Sequence, residues 1–205
     1  MSALEIRSLA CSRGDSRLFR DVSFTLPPGE WIAVRGPNGS GKTTLLRCVA
    51  GLTRPDAGIV IWGGKPTSEA GTQFRSAMLY AGHAPGIKDE LTAAENLRNA
   101  LALRGAAPSD EALRESLGSV GLAKIRNLAA RRLSAGQRRR IGMARLALDA
   151  AALWILDEPL TALDADGESM FAGLLERHLR RGGSALIATH HAIGSLQAKE
   201  VRLAS

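Results

Sequence analysis

Residues 36–43 read GPNGSGKT, and Gly36, Gly41, Lys42 and Thr43 fall at the spacing of a phosphate-binding loop. Small residues let such a backbone curl until successive N–H groups point inward at phosphate oxygens, and the helix that follows adds the positive end of its dipole. Gly36, Pro37, Asn38, Gly39, Ser40, Gly41, Lys42, Thr43 and Thr44 are therefore the expected nucleotide cradle. In it Lys42 would reach the β- and γ-phosphates of ATP, and the Thr43 hydroxyl would ligate the Mg²⁺ that bridges them. The flanks agree: WIAV at 31–34 suits a buried strand, and TLLRCV at 44–49 suits a helix packed on a sheet.

A second segment, LWILDEP at 153–159, turns binding toward chemistry. Four apolar residues carry the chain through a sheet and deliver Asp157 and Glu158 at the carboxyl end of the strand, where open α/β sheets place their ligands. Asp157 would hold Mg²⁺, and Glu158 would act as general base on the water attacking the γ-phosphate. The third segment, LSAGQ at 133–137, places Ser134, Ala135, Gly136 and Gln137 ahead of a helix starting near Gln137, so that their N–H groups and the Ser134 hydroxyl form a second anion site. A single ATP has no use for two γ-phosphate sites in one chain.

Composition bounds the alternatives. The chain has 205 residues, 45% hydrophobic and 23% charged, which is enough for one globular domain with a substantial core. No apolar run approaches the roughly 18 residues of a membrane span, and MSALEIRSLA at 1–10 lacks the order of a signal peptide. The expected location is cytoplasmic. Cys11 and Cys48 are too few for a disulfide framework or a metal cluster, and Cys48 reads as a small core residue. The net charge of +7 invites a nucleic-acid reading, but at 4% aromatic residues the chain has no platform for stacked bases. The clusters Arg131-Arg132 and Arg138-Arg139-Arg140 flank LSAGQ; they read equally as attraction for a bound nucleotide or as a solvated helix face.

The remaining pattern gives the organisation. DVSFTL at 21–26 alternates as a half-buried strand does, and GIVIW at 58–62 reads as another. Thr92 with Glu95 forms a capping-box pattern ahead of Leu97 and Leu101, and Ser109-Asp110 opens a further helix that Gly118 and Gly121 end. No strand is convincing from 91 to 149, so this stretch reads as an inserted helical subdomain within an α/β core of residues 1–90 and 150–205. After it come a helix from about Ala165 to Arg181 and a strand over 185–188.

Taken in chain order, GPNGSGKT, LSAGQ, LDEP, TALD at 161–164 and Thr189-His190 resemble the motifs of ABC-type ATPases. That resemblance implies a P-loop α/β nucleotide-binding domain with an antiparallel β subdomain and the helical insert. It implies a head-to-tail homodimer in which the LSAGQ of one subunit closes on ATP held by the other, with Asp164 at the seam. His190 would contact the γ-phosphate. Two positions depart from the family pattern: Arg13 stands where an aromatic ring usually stacks on adenine, and His83 where the Gln of the Q-loop usually stands. A guanidinium can also stack on a base, and a histidine would make coupling to a partner sensitive to pH.

Residues 80–97, YAGHAPGIKDELTAAENL, together with LSAGQ and LWILDEPLTALD, are similar to the ATP-binding subunits of cytochrome c maturation (haem exporter) systems. The resemblance implies integral membrane partner subunits at the cytoplasmic face of a bacterial inner membrane, with haem handled by those partner chains and no direct contact with nucleic acid. The ATPase of another small exporter and a soluble ABC-type ATPase are the competing readings.

Overall fold

The computed structural model describes residues 2–14, 16–84 and 86–203; of the stretches quoted above, Met1 and Pro85 lie outside them. Two sheets organise the chain. In the first, β1 (Leu4–Arg13) pairs antiparallel with β2 (Ser16–Leu26) on one side and with β4 (Ala57–Trp62) on the other, and β5 (Lys65–Pro66) closes the edge. The second is parallel, in the order β6 (Met78–Ala81), β7 (Leu153–Asp157), β8 (Ser184–Ala188), β3 (Trp31–Arg35), β9 (Lys199–Arg202).

Side-chain alternation divides the parallel sheet between two cores. Ile32, Val34, Leu153, Ile155 and Leu186 point to one face, where Leu45, Leu46 and Val49 of α1 (Lys42–Val49) and residues of the antiparallel sheet fill the space. Trp31, Ala33, Trp154, Leu156 and Ile187 point to the other, against helices α3 (Ala93–Ala102), α4 (Asp110–Ser119), α5 (Ala135–Leu148) and α6 (Ala165–Arg180). Covered on both faces, β7 and β8 are buried at every residue, which is why they read as unbroken apolar runs. Cys48 is buried as expected of a core residue, and burial beside Cys11 pushes its thiol up to about 12.

The helical insert attaches tightly at both ends. At its entry the Thr92 hydroxyl accepts from the Glu95 N–H at 3.2 Å while the Thr92 N–H donates to the Glu95 carboxylate at 2.8 Å, the reciprocal cap the sequence predicts. Asn96, buried one turn later, accepts from the Lys88 N–H and donates to the carbonyls of Lys88, Leu91 and Thr92. At the exit, Arg104 donates to the carbonyls of Ser76 and Met78 and pairs with Asp149 at 2.6 Å. Among the described residues no helix is long and apolar enough to cross a membrane.

Several elements depart from the sequence expectation, which marks neither β1 nor β6 and starts β2 at Asp21 instead of Ser16. Helix α2 (Thr67–Ala77) is interrupted at Gly71, whose φ is 48°, and buries Phe74 alone, so it has no apolar stripe to read. Strand β9 lies at the sheet edge with three of its four residues exposed and carries no apolar run. Helix α5 begins at Ala135 rather than near Gln137, because Ser134 itself is the N-cap.

Candidate active site

The carboxyl ends of the adjacent strands β7, β8 and β3 deliver the expected residues to one edge of the sheet. The loop after β3 is built around a close approach: a Cβ on Gly36 would lie 2.6 Å from the Ser40 hydroxyl and 2.7 Å from the Leu203 carbonyl. Only glycine fits there. Ser40 is buried, and its hydroxyl has no partner of its own. Lys42, 8% exposed, folds back so that its ammonium donates to the carbonyls of Gly36 at 2.8 Å and Pro37 at 3.0 Å. An inward-turned loop with an orphaned buried hydroxyl and a captive ammonium at its mouth suits a polyphosphate. Thr44 is partly buried behind it on α1, and Pro37, Asn38 and Gly39 are exposed along the rim.

Asp157 ends β7 with 3% exposure, and the Thr43 hydroxyl donates to its Oδ2 at 2.8 Å. These two hard oxygen donors, brought together from positions far apart in the chain, are of the kind Mg²⁺ takes. Glu158 follows in the left-handed region, with φ of 48°. Its N–H donates to the Ala188 carbonyl at 2.9 Å, which extends the β7–β8 ladder by one rung and throws the side chain clear of the strand. The Glu158 Oε1 then lies 3.4 Å from His190 Nε2 at the end of β8. Thr189, fully buried, holds that end through Arg35, which donates to its carbonyl at 2.6 Å.

The LSAGQ segment forms a separate wall. The Ser134 hydroxyl accepts from the Gln137 N–H at 3.1 Å, and the Gln137 side chain accepts from the Ser134 N–H at 2.9 Å, so these groups cap α5. Gly136 presses against the next loop: a Cβ there would lie 2.7 Å from the Ala162 carbonyl. Asp164 caps α6 through the Gly167 N–H and accepts from Arg140 at 2.5 Å. Those two contacts hold its carboxyl below the usual range. Ala135 is exposed at the tip.

Arg13 and His83 stand differently. Arg13 is exposed at the end of β1, paired in register with Ser16 of β2. His83 is exposed too, and its carbonyl accepts from Arg139 at 3.0 Å. Residues 138–140 are not a free solvated face, since each of the three arginines has protein partners. Arg138 pairs with Asp89, Arg139 donates to three carbonyls, and Arg140 reaches Asp164 and the Val120 carbonyl. Three cations in the first turns of a helix oppose its dipole, but nothing in the sequence marks the groups that receive them.

The family model described as "ABC transporter" matches residues 19–161, from β2 through LSAGQ and LDEP. The chain belongs to the ABC transporter family. Within that family it is 49% identical to the "Cytochrome c biogenesis ATP-binding export protein CcmA" of Nitrosomonas europaea over 91% of this chain and 88% of that one. Among solved structures of the family, a putative ABC transporter ATP-binding protein from Pyrococcus furiosus superposes with a TM-score of 0.86 at 23% identity, covering 98% of this chain and 97% of its own. The ATP-binding cassette MJ0796, in a dimeric post-hydrolysis state bound to ADP and Pi, superposes with a TM-score of 0.78 at 24% identity, covering 92% and 88%. Both likenesses establish the ABC fold.

Proposed function

We infer that the chain is the ATP-hydrolysing subunit of an ABC transporter serving cytochrome c biogenesis, coupling turnover to haem export or to release of a haem-loaded chaperone. The observation that carries the inference is the near-full-length similarity to the CcmA protein, together with a complete set of hydrolytic groups: Lys42, Thr43, Asp157, Glu158 and His190.

Each group has a task that follows from its place. Lys42 exchanges its loop carbonyls for phosphate oxygens, and the N–H groups of 36–44 bind the rest of the polyphosphate. Thr43 and Asp157 would hold Mg²⁺, which neutralises charge on the transferring phosphoryl group. Glu158 accepts the proton of the attacking water, and His190 steadies that carboxylate while facing the γ-phosphate.

The reading includes a head-to-tail dimer, because Ser134 and Gly136 lie on a wall packed against 162–164, while the phosphate loop is closed by Leu203 and Ser40 on another. Two anion sites on separate walls serve a shared nucleotide when two copies face each other. Asp164 stands at that seam, Arg13 beside the base, and His83 at the turn toward integral membrane partners on the cytoplasmic face of the inner membrane.

The test is to capture tagged Glu158→Gln protein from native membranes in ATP and Mg²⁺ and identify its companions by mass spectrometry. Small multi-helix membrane proteins with a haem-handling partner are the expected result. Recovery of the protein alone, or with nucleic acid, would sink the transporter assignment.

A further inference from the structure

Arg139 uses every nitrogen of its guanidinium on main-chain oxygen. Nη1 donates to the His83 carbonyl at 3.0 Å, Nη2 to the Glu158 carbonyl at 3.1 Å, and Nε to the Thr161 carbonyl at 3.3 Å. The acceptors come from two segments: His83 from the turn after β6, and Glu158 and Thr161 from the loop that joins β7 to α6. The donor comes from neither of them, since Arg139 stands on α5 within the helical insert.

The middle contact matters most. Glu158 carries a left-handed backbone that a non-glycine residue adopts at a cost, and such a conformation persists only where its surroundings hold it. Its N–H is fixed by Ala188, and its carbonyl accepts from Arg139 at 3.1 Å and more loosely from the Thr161 N–H at 3.3 Å, so both peptide groups that set the direction of the side chain are pinned. A planar fork with fixed donor directions can bridge three oxygens at once, which a flexible ammonium does poorly. Burial draws the Arg139 pKa down from its usual value while Asp157 and Glu158 draw it up.

We propose that Arg139 is a positioning residue for ATP hydrolysis, holding the backbone of Glu158 so that its carboxylate meets the attacking water, and thereby tying the aim of that carboxylate to the seat of the LSAGQ helix. The proposal rests on Glu158 being the general base. In this role Arg139 acts through the backbone around Glu158 and not on the substrate itself.

Steady-state hydrolysis by the full chain with Mg²⁺ and ATP, and equilibrium binding of a fluorescent ATP analogue, are compared for the parent, Arg139→Met, Arg139→Lys, Glu158→Gln and the combined Arg139→Met, Glu158→Gln chain. Misplacing a reacting group by about 1 Å can cost on the order of a hundredfold, so kcat is expected to fall roughly ten- to a hundredfold in Arg139→Met and less in Arg139→Lys. Nucleotide affinity is expected to hold, and in the Glu158→Gln background the Met substitution is expected to cost nothing further. An unchanged kcat would overturn the proposal. So would a loss of affinity matching the loss of kcat, or a kcat loss of the same factor in the Glu158→Gln background. If Arg139→Met does not fold, Arg139→Lys, alone and with Glu158→Gln, carries the same comparison. Full-rate hydrolysis by Glu158→Gln alone would instead remove the base assignment, and the Arg139 proposal with it.

Discussion

The Glu158 carboxylate and the His190 imidazole meet at 3.4 Å from the ends of neighbouring parallel strands, one residue past Asp157 and one past Thr189. This pairing makes the two residues a unit. A positioned general base contributes about 10²–10⁴-fold to a rate, so Glu158→Gln is expected to slow hydrolysis by roughly that factor with nucleotide binding intact. His190→Ala is expected to add little to it. Single-turnover hydrolysis of the two variants and their combination checks this; independent, multiplying losses would dissolve the pair.

Thr43 and Asp157 should behave alike toward metal. With the hydroxyl of Thr43 bonded to Asp157 Oδ2, Thr43→Val removes one hard oxygen and leaves the other without its donor. Titrating activity against free Mg²⁺ should show a requirement raised by roughly tenfold or more, as expected when a ligand is lost. An unaltered Mg²⁺ dependence would take Thr43 out of the metal site.

Asn96 tests the attachment of the helical insert. Its side chain is buried at 6% exposure and satisfies the Lys88 N–H and three carbonyls. Replacement by Leu keeps the volume and removes the acceptor of the Lys88 N–H, while the carbonyls of Lys88, Leu91 and Thr92 keep the N–H groups of Leu91, Ala130 and Asn96; one polar group left unpaired costs about 1–3 kcal/mol. Urea denaturation is expected to give a lower midpoint and an unfolding free energy reduced by about 1–3 kcal/mol; a neutral outcome would mean that water replaces the amide.

His178 makes stability depend on acid. Its ring stacks on Trp154 at 3.8 Å and 10°, and its Nε2 meets the Ser184 carbonyl at 3.1 Å. Burial holds its pKa below the usual 6.5, and Arg181 acts in the same direction while the Ser184 carbonyl opposes both. The unfolded chain therefore binds the proton more readily, and stability declines as pH drops below about 6.5 toward the lowered native value. His178→Phe keeps a ring on Trp154 and cannot titrate. Thermal midpoints measured across that window should fall less steeply for it than for the parent.

How much of this was legible depends on where the specificity is written. Lys42, Thr43, Asp157 and Glu158 stand out in the sequence because the phosphate and metal chemistry expected of them asks for particular side chains at particular spacings, His190 stands out only through resemblance to ABC-type ATPases, and a strand buried on both faces must be apolar throughout. The box at Thr92 and Glu95 was legible for the same reason: the cap is a side-chain device. Arg139 was not, since its partners are carbonyls that every residue owns, and no pattern of residue types marks which carbonyl is meant. Strand β9 escaped because an exposed edge imposes no apolar period.

The left-handed turn at Glu158 has a consequence for any attempt to improve this chain. The backbone there would relax by about 1–2 kcal/mol with glycine, and glycine has no carboxylate. Selection for heat resistance and selection for turnover therefore pull opposite ways at one residue. A library screened for thermal survival alone should accumulate glycine at 158 and return proteins that outlast the parent and hydrolyse almost nothing.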